Sequence, residues 1–255
     1  MFEAKQLAQQ ILKGKRPVSL RNCSISPELK ILVLAPHPDD FDAITITLKY
    51  FQENGNLIFL LVLTGASTGV DDSFLSDSTQ ENKEKVREIE QKKSLEYFGF
   101  PSSNVSFLYL TEDKHGDLIL NEECQSTISK KFEEIRPDAI FLPYGKDTNP
   151  SHRRTFKLVR DITKEIDKPI IAFYNQDPKT TQIRLDTYID FDKETALWKR
   201  KMLCFHQSQQ ARNLQTRGIG FDDRILNVNA EIAREINIKS QYAEGFQIEL
   251  LDRAT

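Results

Sequence analysis

Apolar runs alternate with longer amphipathic segments along most of the chain. The clearest run extends from Leu57 to Leu63 without a polar residue. Such a run is typical of a central parallel strand, because helices cover both faces of a parallel sheet. A shorter stretch, residues 183–189, alternates apolar and polar positions and predicts an exposed or edge strand. The predicted strands are residues 30–35, 56–64, 105–110, 138–143, 169–174 and 183–189.

The segments between these strands predict helices. Residues 81–98 form a charged helix that Gly99 would end as its C-cap. Residues 4–13 predict a short, peripheral amphipathic helix, and residues 192–210 give the longest helix candidate. The predicted helices are residues 4–13, 43–52, 81–98, 121–135, 151–166 and 192–210. Strands that alternate with helices predict an α/β fold, a single Rossmann-like domain with a mostly parallel sheet flanked by helices.

Composition narrows the class of protein. The 255 residues are 39% hydrophobic and 29% charged, with a formal net charge of −3, so we expect a soluble protein that does not bind nucleic acid. No apolar run approaches the roughly 20 residues that span a bilayer, and the first residues lack the pattern of a signal peptide. The three cysteines, Cys23, Cys124 and Cys204, predict neither a disulfide framework nor a Cys-x-x-Cys metal site. We expect a reducing, cytoplasmic location.

The most informative segment is Pro-His-Pro-Asp-Asp at residues 36–40, directly after a predicted strand. In such sheets ligands bind beyond the carboxyl ends of the strands. His37 and Asp40 are three residues apart and would share one face of a turn, which leaves Asp39 to point elsewhere. His152 follows another strand end and could supply a third ligand. Three His or carboxylate ligands with one open position are typical of a catalytic zinc site.

These motifs resemble the PIG-L / LmbE-like family of zinc-dependent de-N-acetylases. The family's first motif, Pro-His-Pro-Asp-Asp-Glu, is matched at residues 36–40, and its later motif, His-Pro-Asp-His, is echoed by Asn-Pro-Ser-His at residues 149–152. Weaker similarities follow in the family's order at residues 64–69, 87–90 with 98–99, 201–209 and 242–246. The resemblance spans about residues 30–246. It leaves residues 1–29 as an N-terminal extension of one domain over residues 1–255.

The resemblance implies a function and a set of roles. His37, Asp40 and His152 would bind Zn²⁺, although His and Asp ligands also suit Fe²⁺. Asp39 would be the general base in hydrolysis of a linear amide C–N bond. The implied partner is a small-molecule substrate, an N-acetylated amino sugar of the N-acetylglucosamine type or its conjugate. A homo-oligomer is compatible with the sequence.

Three positions depart from the family's motifs. Phe41 replaces a glutamate, and Asp42 is not equivalent to it, since one residue turns a helical position by about 100°. Asn149 replaces the histidine that stabilises the oxyanion, and Ser151 replaces an aspartate. An asparagine amide can donate a hydrogen bond to an oxyanion. We therefore expect Asn149 to act in catalysis and substrate binding, with altered rate or specificity.

Other residues have two interpretations. Arg87 matches a substrate-binding arginine of some family members, but it could instead be a solvated residue paired with Glu84 or Glu90. His206 could bind substrate or could be a packing or hydrogen-bonding histidine. Asp147 could orient a metal-ligand imidazole or belong to an ordinary turn.

Two further functional hypotheses remain open from the sequence. The altered positions could mark a non-catalytic or altered-specificity relative that binds a sugar or a partner protein. Gly65 and Gly69 after a strand suggest a nucleotide site, but the segment lacks Gly-x-Gly-x-x-Gly and the P-loop motif. His115 has no evident metal partner. The acidic pairs at residues 71–72 and 222–223 predict solvated turns.

Overall fold

One eight-stranded sheet organises the computed structural model, which describes residues 2–252. Its strand order is β1-β7-β8-β6-β5-β2-β3-β4, and β8 runs antiparallel to both of its neighbours while the other pairs are parallel. The α/β prediction of a mostly parallel sheet is confirmed. The strands are β1 Val18–Ser19, β2 Ile31–Ala35, β3 Ile58–Val62, β4 Val105–Phe107, β5 Ala139–Pro143, β6 Ile170–Asn175, β7 Thr187–Phe191 and β8 Tyr242–Leu251.

Helices cover both faces of this sheet. They are α1 Phe2–Lys13, α2 Thr45–Glu53, α3 Gln80–Phe98, α4 Glu122–Ile135, α5 Pro150–Thr163, α6 Lys193–Leu203, α7 Gln207–Arg217 and α8 Phe221–Glu235. Successive side chains of a strand point to opposite faces. In β2, Ile31 and Val33 therefore join one buried cluster while Leu32 and Leu34 join another. These two clusters, one on each face of the central strands, explain the continuous apolar runs of those strands. Within residues 2–252 no helix combines the length and the apolarity needed to cross a membrane.

The sheet register brings the functional loops together. β2 pairs in parallel with β3 and with β5, and Ile31 is the register partner of both Ile58 and Ala139. The loops that follow β2, β3 and β5 therefore leave the same edge of the sheet side by side. This is the physical basis on which residues more than 100 positions apart meet in one site.

The N-terminal segment is part of this core, in contrast to the peripheral helix that we predicted. Four residues of α1 with helical spacing are 0–1% exposed: Ala4, Leu7, Ala8 and Ile11. β1 adds a strand to the edge of the sheet by pairing with β7. The segment over residues 1–29 that we described as an extension thus contributes both a core helix and a strand.

The C-terminal third differs most from the prediction. The expected helix over residues 192–210 is interrupted at residues 204–206, so that α6 and α7 are separate helices. Neither α8 nor β8 was predicted, and Asp222 is buried in the first turn of α8, where it pairs with Arg200, instead of lying in a solvated turn. We predicted an exposed or edge strand over residues 183–189, but the observed strand, β7, begins at Thr187. It does not form the edge of the sheet, because it lies between β1 and β8.

A buried ionic network explains why β8 was missed. Glu244 of β8 and Lys199 of α6 are 1% and 0% exposed, and their side chains lie 2.6 Å apart. Lys199 Nζ also donates to the carbonyl of Ala43 at 2.7 Å and to Asn229 Oδ1 at 2.9 Å. Glu244 also accepts from the backbone N–H of Ile46 and from the N–H and hydroxyl of Thr47, at 2.6–3.0 Å. A charged residue in the interior breaks the apolar pattern that predicts a buried strand.

Candidate metal and catalytic site

Three predicted ligands meet at the strand ends. Asp40 lies between two imidazoles, with 3.2 Å from Oδ2 to His37 Nδ1 and 3.3 Å from Oδ1 to His152 Nε2. One donor atom from each residue lies within 4.8 Å of the other two. The two imidazole rings are 5.3 Å apart between centroids. The structure thus brings His37, Asp40 and His152 into one potential metal-binding cluster.

The turn after β2 separates Asp39 from these ligands. Asp40 Oδ2 accepts the backbone N–H of His37 at 2.8 Å, which closes the turn locally. Asp39 has φ of 121°, a conformation that non-glycine residues rarely adopt and that clusters at functional sites. Its N–H donates to Gln91 Oε1 at 2.9 Å, and its Oδ2 lies 3.1 Å from Arg87 Nη2. Two residues of α3 therefore hold Asp39 in this unusual geometry at the wall of a cavity.

The donor set fits a metal ion. His152 is 1% exposed, and its Nε2, which faces Asp40, is buried without a hydrogen-bond partner. Its other ring nitrogen, Nδ1, lies 3.0 Å from Asp147 Oδ2. A carboxylate at Nδ1 fixes the tautomer and leaves the Nε2 lone pair for a metal, as in many metal-ligating histidines. The contact agrees with the first interpretation of Asp147. Two imidazoles and one carboxylate are ligands that zinc accepts.

The protonation of the cluster follows from burial and close charges. Burial lowers the pKa of His37, and the nearby Asp40 only partly offsets this effect. Burial would raise the pKa of Asp40, but His152 and His37 outweigh it and hold this pKa well below its ordinary value. For His152, burial is outweighed by Asp40 and then Asp147, which raise its pKa to about 10. Without metal, His152 thus carries a proton that a metal ion must displace.

Asn149 is oriented by the helix that it caps. It is the N-cap of α5, and its Oδ1 accepts the backbone N–H of Ser151 at 2.9 Å and of His152 at 3.3 Å. Because the oxygen is occupied, the side-chain NH₂ is the group that Asn149 can offer to a ligand. Asn149 lines the same cavity as His37 and Asp39.

The other two altered positions have structural roles. Ser151 is fully buried, and its hydroxyl accepts the N–H of Leu118 at 3.0 Å and donates to Asp117 at 3.3 Å. It ties the segment before α4 to the start of α5. Phe41 is also fully buried, with its ring edge-on to those of Phe98 and Phe100, each 5.3 Å away between centroids.

Arg87 is not the solvated residue of the second interpretation. It is 2% exposed, and it contacts both Asp39 and the carbonyl of Pro38. Glu90 does not pair with it but accepts from the N–H and the hydroxyl of Ser208, each at 2.7 Å, at the start of α7. A Cβ on Gly69 would lie 2.3 Å from Arg87 Nη1, so glycine allows this close approach. Arg87 lines the cavity beside Asp39.

His206 lies behind the site and not within the cavity where we predicted substrate contact. It is fully buried at the start of α7, and its Nε2 is 3.1 Å from Oδ2 of the buried Asp42. Gln91 Nε2 donates to the same Asp42 oxygen at 2.9 Å, while Gln91 Oε1 accepts the Asp39 N–H. The second interpretation, a packing histidine, fits this position, because the His206 ring also lies edge-on to that of Phe221, 6.0 Å away between centroids. The short 3₁₀ helix after Phe41 turns Asp42 into the interior.

The cavity, with a volume of about 240 Å³, also contains residues that were not predicted. Asp177 follows β6, and a carboxylate oxygen of its side chain lies within 4.8 Å of donor atoms of Asp147 and His152. The rule that ligands gather at strand ends would have identified Asp177. His115, for which we saw no metal partner, lies at the cavity wall. Four cationic residues line it as well: Lys179, Arg212, Arg217 and Arg224.

Comparison with known proteins agrees with this architecture. The family model described as PIG-L: GlcNAc-PI de-N-acetylase matches residues 32–163. The N,N'-diacetylchitobiose deacetylase of Pyrococcus horikoshii has a similar structure, with a TM-score of 0.74, 17% identity, and coverage of 96% of this chain and 91% of that chain. None of the curated proteins compared with the chain matches it.

Two more structures show how widely this fold is used. A teicoplanin deacetylase in a zinc-inhibited form has a TM-score of 0.64 and 14% identity, and covers 87% of this chain and 98% of its own. The 4-carboxy-2-hydroxymuconate hydratase of Pseudomonas putida has a TM-score of 0.65 and 18% identity, with 86% and 95% covered. At these identities the likeness concerns the fold, and the chemistry must be argued from the site.

Proposed function

The chain belongs to the PIG-L family of GlcNAc-PI de-N-acetylases, and we propose that it is a metal-dependent hydrolase that removes the N-acetyl group from an amino sugar or a sugar conjugate. One observation carries the proposal: an unpartnered, buried His152 Nε2 faces His37 and Asp40, and Asp39 stands beside them at the cavity wall. A divalent metal ion would complete the coordination of these groups, and a carboxylate base is already in place.

His37, Asp40 and His152 would hold the ion. We propose zinc as the first candidate and Fe²⁺ as the alternative, because this donor set suits both. When bound, such an ion lowers the pKa of water and polarises an amide carbonyl. Asp147 would keep the His152 ring in the tautomer that offers Nε2.

Asp39 would move the proton. It would accept a proton from the water that attacks the acetamide carbon, and it would pass that proton to the nitrogen of the leaving amine as the C–N bond breaks. Acetate and the free amine are then the products. Arg87 would support this role from α3, since its ion pair with Asp39 at 3.1 Å fixes the position of the carboxylate.

Asn149 would stabilise the charge that develops on the carbonyl oxygen. Its Oδ1 is held by two backbone N–H groups of α5, so its NH₂ is preorganised as a donor. Preorganised donors of this kind are the usual means of oxyanion stabilisation. Unlike a histidine at this position, Asn149 carries no positive charge, so we expect a contribution from hydrogen bonding alone.

An N-acetylated amino sugar is the substrate class that we propose. The description of the family supports it, and diacetylchitobiose and teicoplanin deacetylases are among the similar structures. The three cysteines are unpaired, which fits the cytoplasmic location that we propose.

The test combines metal analysis with an assay for free amine. The purified protein is expected to contain about one divalent ion per chain, and it should release amine from at least one member of a panel of N-acetyl sugars. Removal of the ion by a chelator should abolish release, and re-addition of Zn²⁺ or Fe²⁺ should restore it. Stoichiometric metal without amine release from a broad panel would favour the sugar- or protein-binding alternative. A nucleotide in the purified protein would instead favour the nucleotide-binding hypothesis.

A further inference from the structure

The metal cavity continues past Asn149 into a second, more open cavity of about 450 Å³. We call this second cavity the cationic groove. Its wall comes from the β5–α5 loop, the segment after β6, the end of α7 and the start of α8. It is lined by Thr148, Asn149, Pro178, Lys179, Thr180, Thr181, Arg217 and Arg224.

The charges in this groove are all of one sign. Lys179, Arg217 and Arg224 line it, and no acidic side chain does so among the described residues. None of the three has an acidic ion-pair partner within residues 2–252. Arg224 donates to the neutral Asn213 Oδ1 at 3.0 Å. By contrast, Arg200 nearby pairs with both Asp222 and Asp223. In a chain with a net charge of −3, three unpaired cations along one groove call for an explanation.

The positions of these cations in their helices explain Arg217 but not Arg224. Arg217 lies in the last turn of α7, where the helix dipole favours a cation. Arg224 is the fourth residue of α8, where the same effect is unfavourable. Partial burial, followed by the charge of Arg217, lowers the pKa of Arg224. Asp177 and Asp39 act in the opposite direction but form no ion pair with it. Neighbouring cations repel one another, and an anion that binds between them offsets this repulsion.

We propose that the cationic groove binds an anionic group, a carboxylate or a phosphate, carried by the substrate next to its N-acetyl sugar. This inference rests on the proposed function, because Asn149 lines both the metal cavity and the groove. A molecule with its acetamide beside Asn149 extends from there toward Arg217 and Arg224. Guanidinium groups bind carboxylates and phosphates through paired N–H donors, and Lys179 adds a compact charge. The groove thus selects acidic amino-sugar conjugates over neutral ones.

The experiment compares matched substrates. The probes are N-acetylglucosamine, its 1-phosphate, and N-acetylmuramic acid, which carries a carboxylate. We expect kcat/KM to be at least about 10-fold higher for one of the anionic probes, with an advantage that shrinks as salt screens the groove. The better anionic probe distinguishes phosphate from carboxylate.

Variants locate the effect. The double substitution Lys179→Gln with Arg217→Gln removes two side chains that form no hydrogen bond or ion pair within residues 2–252, so folding should be preserved. It should lower the ratio of kcat/KM between the anionic and neutral probes about 10-fold. Arg224→Gln is a second, independent variant. Arg234→Gln, an exposed arginine on α8 outside both cavities, is the control and should leave this ratio unchanged.

Direct binding separates this inference from the proposed function. Calorimetry measures the affinity for both anionic probes in the same variants. Equal kcat/KM for all probes, unchanged by the double substitution, would overturn the inference while leaving the deacetylase intact. Absence of turnover with these probes and with the broad panel, together with anion binding that the double variant loses and Arg234→Gln retains, would support anion binding in the groove and reject the deacetylase. Failure of both anionic probes to bind or to react preferentially would also overturn the inference.

Discussion

Two buried assemblies of charge in this molecule differ in how completely their polar groups are paired. The Lys199–Glu244 network uses all three ammonium donors of Lys199. In the cluster of His37, Asp40 and His152, by contrast, His152 Nε2 is buried and has no hydrogen-bond partner, although a carboxylate oxygen of Asp40 lies 3.3 Å away. Buried polar groups are normally satisfied, and an exception needs an explanation. The difference distinguishes a charge pair that joins elements of the fold from a cluster that we propose binds a metal ion.

The largest expected effect is on the chemical step. Asp39→Asn keeps the shape of the side chain but cannot accept a proton, so kcat should fall by about 1,000-fold or more. Metal content should stay near that of the wild type, since Asp39 is not among the clustered donors. Amine release under saturating substrate measures the effect. Asp161→Asn, a partly exposed aspartate paired with Lys164 outside the cavity, is the control. Near-normal turnover by Asp39→Asn would reject its role as the base.

The paired network should respond in stability and not in chemistry. Lys199→Met leaves Glu244 charged and buried, and loss of one partner of a buried pair costs about 3–5 kcal/mol. We expect the lower end, because Glu244 keeps its bonds to Ile46 and Thr47. Urea unfolding gives the free energy of unfolding, with the exposed Lys201→Met as the control. If the variant lost its activity while its stability was unchanged, the distinction between the two assemblies would fail.

Asn149 combines a structural role with a proposed catalytic one, since it caps α5 and also lines the cavity. Asn149→Asp keeps an oxygen for the N–H groups of Ser151 and His152 but removes the NH₂ donor. We expect kcat to fall about 100-fold with little change in stability. Asn149→Ala should lose the cap as well and unfold more easily by about 1 kcal/mol. Equal kcat for wild type and Asn149→Asp would remove Asn149 from the oxyanion site.

The grouping of His37, Asp40 and His152 was easier to predict from the sequence than the surrounding fold, because each of these residues is identified by its local position after a strand. His37, Asp39 and Asp40 follow directly from an apolar strand and the turn after it, and His152 follows from the same rule at β5. The Lys199–Glu244 pair joins residues 45 positions apart. In the sequence alone, neither residue can be distinguished from an ordinary solvated charge.

The same argument explains the groove. Arg217 and Arg224 reach the site only because the chain turns between α7 and α8, a turn that Gly218 permits with φ of 73°. We did not predict this turn, because we expected one helix over residues 192–210 and did not predict α8. His206 was misplaced for a related reason, since its position depends on the interruption between α6 and α7 and on the distant partner Asp42.

A smaller effect is expected at Asp147, which contacts the proposed metal ligand His152. Asp147→Asn retains the shape beside His152 but weakens the carboxylate contact to Nδ1, which is 3.0 Å long. Substitution of such supporting groups typically lowers metal affinity about 10- to 100-fold. Competition with a calibrated chelator measures that affinity, and Asp117→Asn at the cavity wall is the comparison variant. Unchanged affinity would show that His152 needs no carboxylate to present Nε2.

The smallest effect concerns Glu112, which tests whether an unpartnered buried atom always belongs to the site. Its Oε1 is buried without a partner, yet it does not line the metal cavity. Burial, followed by the charge of Glu84, raises its pKa from 4.5 to about 7. A raised folded-state pKa means that the native state holds the proton more tightly than the unfolded chain, so this contribution to stability is fully present below about pH 4.5 and is lost as pH rises through about 7.

Glu112→Gln cannot titrate, so its stability relative to the wild type should increase between pH 5 and pH 8. After allowance for partial exposure to solvent, we expect a gain of about 1 kcal/mol in urea unfolding. Such a gain would show that Glu112 avoids an unpaired charge by staying protonated, whereas the buried Nε2 of His152 lies beside two other potential metal ligands. If the stability difference were constant across pH, Glu112 would be ionised in the fold. An unpartnered buried atom would then not by itself distinguish a ligand site from an ordinary buried charge.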